Sequence, residues 1–462
     1  MTSTLWRILS QLQSAFSYNF TFMWFCSLVV GACAGSDQIG GVSGIVRNLG
    51  MSERAYHSLL RLFSSRAINH GLLAQLWMSL AISLFDSNLL YIAGRKLFII
   101  DATKVAKTGR KMPGVLGMKD TVNDGWMRGH YFESIAIVAR GVMSFFPIHV
   151  ATTLLCEKTG HDGNLVERCL AFIQRYPQIQ GAILIGDAWY SKSKLIVQLA
   201  KTHALVMVTR LAKNVVAYDI HIESPFSPLK RGRKKKYGKK IKLIELFSGE
   251  LLRWTLQDNQ GRQFEVQGWV KDLLWKPLGM MVRFIGISHP EKGLLILMCS
   301  DTNMAPQDIA QSYVYRFWIE VAFHNAKSMI GSFTYRFWLK AMDRLPKFPK
   351  AMNLSDLPNE LIKKMNKKIA AFELFVMAGM IAQGLLVYMA IYHGAQVTAG
   401  ARFWLRTKRG DESSERIAAA YVKIMLRNLS EDTPPSDPLT KFLLKAKKNA
   451  VKKFGCYLLK VG

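Results

Sequence analysis

The stretch Tyr313–Lys327, YVYRFWIEVAFHNAK, carries Tyr313, Arg316, Glu320 and Lys327 at steps of three, four and seven residues. On an α-helix, at about 100° per residue, those steps put the four side chains within an arc of about 60°. A carboxylate flanked on one stripe by an Arg, a Lys and a phenol suits a metal-dependent phosphodiester site. The Glu can hold a hard cation, and the other three can hold phosphates. Two more acids stand out by position. Asp101 follows LFII and Asp187 follows AILIG, apolar runs that read as short buried strands ending in an acid. A lone Asp in such a place usually caps a turn or helix. Three acids in this order, 86 (187 − 101) and then 133 (320 − 187) residues apart, can converge on two Mg²⁺ or Mn²⁺ ions about 4 Å apart. One ion would activate a water or a 3′-hydroxyl, and the other would stabilise the leaving oxygen.

The elements that must position these residues are legible in outline. Residues 1–90 lack strand alternation and read as helices. Within them VSGIVRNLG and MSERAYHSLLRLFSSR read as two helices joined at Gly50, with Ser52 as N-cap and Arg54, Arg61 and Arg66 on or near the second. Such a pair is either a helix-turn-helix that touches DNA or an ordinary helical hairpin. From Lys96 the order is β-β-β-α-β-α-β, with a glycine-rich basic loop over 103–129, and implies a mixed sheet with helices on its faces. Strands that end in an Asp put it at the carboxyl edge, where such sheets carry their sites. Residues 212–300 interrupt the pattern with several strands (KLIELF, LLRWTLQD, QFEVQGWV, MMVRFIGIS, GLLILMCS) and read as a β-rich insertion. The striped helix starts near Pro306. A lysine-rich connector, an apolar helix and a basic helical tail from about Gly410 follow.

Composition narrows the partner. Lys and Arg number 62 against 32 acids, a net charge of +30. That excess points to a polyanion, nucleic acid before an anionic membrane surface. Half of the residues are hydrophobic, which excludes a disordered chain. The six cysteines include no CxxC pair, which argues against a disulfide scaffold or a zinc module. Phe20–Gly35 is shorter than the roughly 20 residues a membrane span needs. Ala370–His393 is long enough, but it contains Glu373 and Gln383, so a buried core helix is expected and no membrane partner.

The order Asp–Asp–(β insertion)–Glu, with Y-x2-R-x3-E-x6-K around the Glu, resembles bacterial insertion-sequence transposases of the DDE class, the group with a YREK signature. Every signature position is matched: Tyr313, Arg316, Glu320 and Lys327. The resemblance spans about residues 20–400 and includes LFIIDATKVAKTGRKMPG around Asp101 and the GRKKKYG segment. It implies an α/β, RNase H-like core whose mixed sheet with flanking helices is interrupted by a β-rich insertion, between helical N- and C-terminal regions. The implied division is 1–90, a helical DNA-binding domain; 91–211, the first part of the catalytic core; 212–302, the insertion; 303–400, the second part of the core with the YREK helix; and 401–462, a basic helical region. By the same resemblance Asp101, Asp187 and Glu320 bind two Mg²⁺ or Mn²⁺ ions, and Tyr313, Arg316 and Lys327 hold DNA phosphates. The implied activity is cleavage of transposon ends and strand transfer into target DNA. The implied partners are double-stranded DNA, as terminal inverted repeats and target, and a second copy of the chain in a synaptic complex. The implied location is the bacterial cytoplasm, at the nucleoid. Family members flip a base onto a Trp of the insertion, for which Trp269, Trp275 and Trp318 are the candidates here.

Further DNA contacts are expected at Lys104 and Lys107, at Arg231 and Arg233 within the nine basic residues of Lys230–Lys242, at Trp318 and at His324. His324 lies four residues after Glu320 and could instead be a ligand. The basic, amphipathic segment Lys441–Lys453 could pair two subunits or bind DNA. Two other readings compete: a domesticated, non-catalytic DNA-binding derivative, against which all three acids stand, and a membrane protein spanning at Ala370–His393.

Overall fold

The computed structural model describes residues 1–35, 40–120, 124–156, 163–222, 235–291, 293–350, 352, 354–401, 413–429 and 437–458. Arg231 and Arg233 fall outside the described residues. Helices α1 (Thr2–Leu9), α2 (Asn19–Cys33), α3 (Val42–Asn48), α4 (Glu53–Leu62) and α5 (His70–Phe85) come first. Strands β1 (Tyr91–Ile92), β2 (Arg95–Ala106), β3 (Leu116–Asp120), β4 (Gly125–Arg140) and β5 (Phe145–Leu154) follow. Then α6 (Leu165–Ile173), β6 (Ile183–Gly186), α7 (Ser193–His203) and β7 (Val206–Arg210) alternate. Next come β8 (Val216–Ile220), β9 (Tyr237–Lys242), β10 (Leu252–Gln257), β11 (Gln263–Trp275), β12 (Met280–His289) and β13 (Gly293–Cys299). The chain closes with α8 (Pro306–Val314), α9 (Trp318–Asn325), α10 (Asn359–Tyr392), α11 (Gly394–Gly400), α12 (Glu415–Asn428) and α13 (Pro438–Leu458). The fold is mixed α/β with helical terminal regions, as the RNase H-like expectation requires.

Two compact units divide these elements. The helix-rich unit comprises Met1–Asn88, Ala102–Asp162 and Ile319–Gly462; the strand-rich unit comprises Leu89–Asp101 and Gly163–Trp318.

In the strand-rich unit the sheet runs β2-β6-β7-β13-β12-β11-β8-β9, with β1 added to β2 and β10 to β11. The strands β2, β6 and β7 are parallel neighbours. Parallel pairing needs a long crossover, and α7 supplies the one from β6 to β7. Leu195, Ile196 and Leu199 form its buried face, and it ends at Ala204 in the left-handed region (φ 50°). A capping box closes the start of α6: the Asn164 side chain accepts from the Glu167 backbone N–H, and the Glu167 carboxylate accepts from that of Asn164. The remaining strands pair antiparallel, and β13 returns the insertion to the core by pairing with β7. KLIELF is not the expected strand. Strand β9 stops at Lys242, and Leu243–Ser248 forms a 3₁₀ turn with Leu243 buried. Lys242 and Glu245, three residues apart, pair there at 2.8 Å, a spacing such a turn brings into line.

In the helix-rich unit, α10 is the central element and packs on α2, α5, α12 and β5. Its length and hydropathy would let it cross a membrane, yet 83% of its most apolar window is buried inside the protein. The polar residues within it bond internally. Glu373 Oε1 accepts from Thr153 Oγ1 at 2.9 Å and from the Leu154 N–H at 2.8 Å, and Gln383 Nε2 donates to the Ala322 carbonyl at 3.4 Å. Strands β4 and β5 pair as expected, but β5 is buried along its whole length instead of alternating, because α5 and α10 both cover it. The basic loop expected over 103–129 is largely strand: β2 continues to Ala106, and β3 pairs with β4. Helices α3 and α4 form the expected pair around Gly50 (φ 61°). Ser52 holds the N-cap position without a side-chain cap bond, and Arg54, Arg61 and Arg66 are exposed.

Candidate active site

Register decides where the two aspartates lie. Leu97, Phe98 and Ile99 of β2 pair with Ile183, Leu184 and Ile185 of β6, a constant offset of 86 residues (183 − 97). The same offset carries Asp101 to Asp187. The last paired rung is Ile99–Ile185, and Asp187 stands one residue past the end of β6, so the parallel pairing brings both acids to the carboxyl edge of β6. Between β6 and β7 the offset is 23 (206 − 183), which carries Asp187 to Arg210 at the exposed end of β7. Strand β2, the turn that follows β6 and the end of β7 thus bring Asp101, Asp187 and Arg210 to one edge of the sheet, in a row.

The expectation that β2 ends at Asp101 is wrong: the strand runs on to Ala106. The edge arises because the neighbour stops, since β6 ends at Gly186. Asp187 does what a lone Asp usually does there. It is the N-cap of the 3₁₀ turn Ala188–Tyr190, and its Oδ1 accepts from the Trp189 N–H at 2.8 Å. That bond also fixes the orientation of the carboxylate.

Two residues of the stripe reach this row. Arg316 Nη2 donates to Asp101 Oδ2 at 2.9 Å, with both side chains less than one-fifth exposed. Burial raises the Tyr313 phenol above its ordinary value. The positive charges of Arg316 and Arg210 oppose that shift, and the negative charges of Asp187 and Asp101 add to it. Tyr313, Arg316, Arg210, Asp187 and Asp101 therefore share one electrostatic neighbourhood. Arg210 was not expected from the sequence, although it closes the strand read in ALVMVTRL.

The stripe is not one regular helix. After α8 the chain tightens into a 3₁₀ turn, Tyr315–Phe317, resumes as α9 and widens into a π turn over Ala326–Ile330. Arg316 sits in the tightened turn and Lys327 in the widened one, so the uniform 100° spacing fails at both. Such π turns are frequent at functional sites.

Glu320 and Lys327 belong to the helix-rich unit. Glu320 is exposed on α9. The Lys327 side chain is largely exposed, but its ammonium donates to Thr103 Oγ1 at 2.6 Å and the Lys104 carbonyl at 3.1 Å, and burial of that tip lowers its pKa. Lys104 donates to the Lys119 carbonyl at 2.6 Å. Lys107 turns inward. Its ammonium donates to the carbonyls of Phe333 (2.9 Å) and Tyr335 (3.2 Å) and lies 4.5 Å over the Phe372 ring. Burial, aided by the Arg336 charge, pulls its pKa down to about 8. Lys107 is thus an internal strut and is not presented to a partner. His324 is exposed on α9. Trp318 is partly buried beside Phe317. Trp269 and Trp275 are buried, 4% and 5% exposed, against Phe247 and Phe284, so neither offers a free ring face to a flipped base.

The sequence model of the transposase DDE domain matches residues 92–344, more than half of the 462-residue chain. The chain belongs to the transposase DDE-domain family. Comparison with curated proteins gave no match. The matched segment contains the whole row and all four stripe residues. DDE transposase domains generally use divalent metals, and the row fits that chemistry: Asp101 and Asp187 supply hard oxygen donors in one electrostatic neighbourhood. Mg²⁺ commonly takes one or two carboxylates and completes its shell with water and substrate phosphate. Among the described residues, no group of three or more His, Cys, Asp or Glu is gathered at metal-binding distances.

Proposed function

We propose that this transposase is a DDE enzyme of the YREK group that cleaves transposon ends and transfers the strands into target DNA by a cut-and-paste route. The observation that carries the reading is the shared charged neighbourhood of Asp101 and Asp187 with Arg316, Tyr313 and Arg210. Asp101 and Asp187 would hold Mg²⁺ or Mn²⁺, with Glu320 as third ligand of a two-ion site. Bound there, the cations would polarise the scissile phosphate and activate a water or 3′-hydroxyl.

The chain's own groups supply binding and orientation. Arg316 is a planar, permanently charged donor bonded to Asp101, and it can hold a phosphate oxygen beside that carboxylate. Arg210 adds a second cation at the same edge. The Tyr313 phenol stays protonated because burial raises its pKa, so it donates a hydrogen bond instead of adding negative charge. Lys327, and at the periphery Lys104, His324 and Trp318, extend the contact along the DNA backbone, and Arg231 and Arg233 would do so from the insertion. The five-part division at 90, 211, 302 and 400 is retained as part of this reading. So are double-stranded inverted repeats and target DNA as substrates, a homodimer in the synaptic complex, and a bacterial, nucleoid-associated cytoplasmic location.

The test is Mg²⁺-dependent strand cleavage of DNA taken from the sequences that flank the gene. Asp101→Ala, Asp187→Ala and Glu320→Ala should each abolish it. If all three cleave like wild type, the acid assignment is wrong.

A further inference from the structure

Residues 333–340 form no strand, yet their burial alternates. Phe333, Tyr335, Phe337 and Leu339 are buried, while Arg336, Trp338 and Lys340 are exposed. Alternation of this kind marks extended backbone, in which side chains two residues apart share one side at a spacing of about 7 Å. The inner row is anchored. The Tyr335 ring stacks 5.3 Å from Phe375 and 6.1 Å from Phe372, both on α10. Phe337 stacks on His130 at 6.0 Å and 15°, and Leu339 packs with Met342 and Met365. The backbone is tied as well, by Lys107 to the Phe333 and Tyr335 carbonyls and by the Leu339 N–H to the Lys111 carbonyl at 2.8 Å.

The outer row is therefore presented by a pinned segment. It reads cation, indole, cation, and Trp338 is 71% exposed. Among the described residues, none forms a hydrogen bond or ion pair with the Arg336 guanidinium, the Trp338 indole or the Lys340 ammonium. Folding gains nothing from leaving a large ring in water, since burying it would be favourable. The residues 333–340 contain no acid, and the whole chain carries +30.

We propose that the row Arg336–Trp338–Lys340 is a contact for unpaired nucleotides of DNA. The indole stacks on a base face, and the flanking cations neutralise the phosphates on either side. Duplex suits it less well, because paired bases are stacked on each other and turn only their edges outward. Arg, Trp and Lys also favour an anionic membrane surface, but membrane-surface elements are amphipathic helices and this is a short extended row. The inference rests on the DNA-transposase reading and adds a single-strand contact in the helix-rich unit.

The experiment is fluorescence anisotropy on the full chain, with a labelled single strand and its duplex. The variants are Trp338→Ala, Trp338→Phe and the double variant Arg336→Gln/Lys340→Gln. Trp338→Ala should weaken single-strand binding by about tenfold and leave duplex binding within about twofold, with an unchanged melting temperature because the ring is exposed. Trp338→Phe should keep most of the affinity. The double variant should reduce the salt dependence of single-strand binding. The row is refuted if Trp338→Ala binds the single strand like wild type. It is equally refuted if Trp338→Ala abolishes binding to anionic phosphatidylserine vesicles and spares DNA. If the wild type binds neither form of DNA, the transposase reading fails together with the row.

Discussion

Arg283 grips Asp272 through Nε–Oδ1 at 2.7 Å and Nη2–Oδ2 at 2.6 Å, while Arg316 meets Asp101 through Nη2–Oδ2 at 2.9 Å. Both pairs lie in the strand-rich unit, and both arginines are 19% exposed. Their settings differ. Asp272 and Arg283 are direct cross-strand partners on β11 and β12, and the remaining Arg283 nitrogen, Nη1, donates to the Met304 carbonyl at 2.8 Å. That pair is local, and all three guanidinium nitrogens bond within the fold. Arg316 instead reaches an acid 215 residues away in sequence (316 − 101), and that acid shares its electrostatic surroundings with a second carboxylate and a further cation. A structural ion pair is closed by its own neighbours. A candidate catalytic pair stands in a concentration of charge that the fold alone does not require.

Substitutions can break this distinction. The largest effect is expected at the acids. Asp101→Asn and Asp187→Asn should each reduce DNA cleavage by at least about a hundredfold, the scale of several kcal/mol of lost charge stabilisation, with little change in melting temperature. Arg316→Ala should cost about tenfold or more in cleavage while the protein stays folded. Arg283→Ala should do the reverse. It should lower stability by about 1–3 kcal/mol in chemical denaturation and leave the cleavage rate of the folded fraction unchanged. Equal behaviour of Arg283→Ala and Arg316→Ala in both assays would erase the contrast.

Buried titratable groups of the helix-rich unit sharpen it through pH. Burial pushes His130 down to about 4 and His149 down to about 3, so both are neutral in the fold. In the unfolded chain they take up protons near the ordinary value of about 6.5. Their folded pKa values are depressed, so this part of the stability is present above about pH 6.5 and is lost as the pH falls toward 4. Thermal or denaturant unfolding at pH 7 and pH 5 should differ by about 2 kcal/mol per imidazole. His130→Phe should remove about half of that dependence and leave the His149 share. An unchanged pH profile would show that the ring is not buried as described.

Asp101 and Asp187 were legible because each follows a run of apolar residues long enough for a buried strand. Their alignment was not, because the 86-residue offset acquires meaning only once β2 and β6 are known to pair in parallel. The stripe was read as one regular helix, and nothing in YVYRFWIEVAFHNAK signals a 3₁₀ turn at one end and a π turn at the other. Lys107 shows the limit of charge counting. A lysine six residues after Asp101 was expected to touch DNA, and only the fold reveals two carbonyls and a phenyl ring around its ammonium. Trp269 and Trp275 are six residues apart on β11, the same parity, and packing turns both inward. The segment FTYRFWLK is the opposite case: its alternation is visible in the sequence, but only the structure shows that Trp338 stands exposed on the polar side.

The most direct test of the central claim, that Asp101 and Asp187 form a divalent-cation site at the end of parallel strands, is Mn²⁺ binding followed by electron paramagnetic resonance on the full chain with duplex DNA. The wild type should bind the ion, and Asp101→Asn and Asp187→Asn should each weaken it by at least about tenfold. Wild-type Mn²⁺ affinity in both variants would contradict the account.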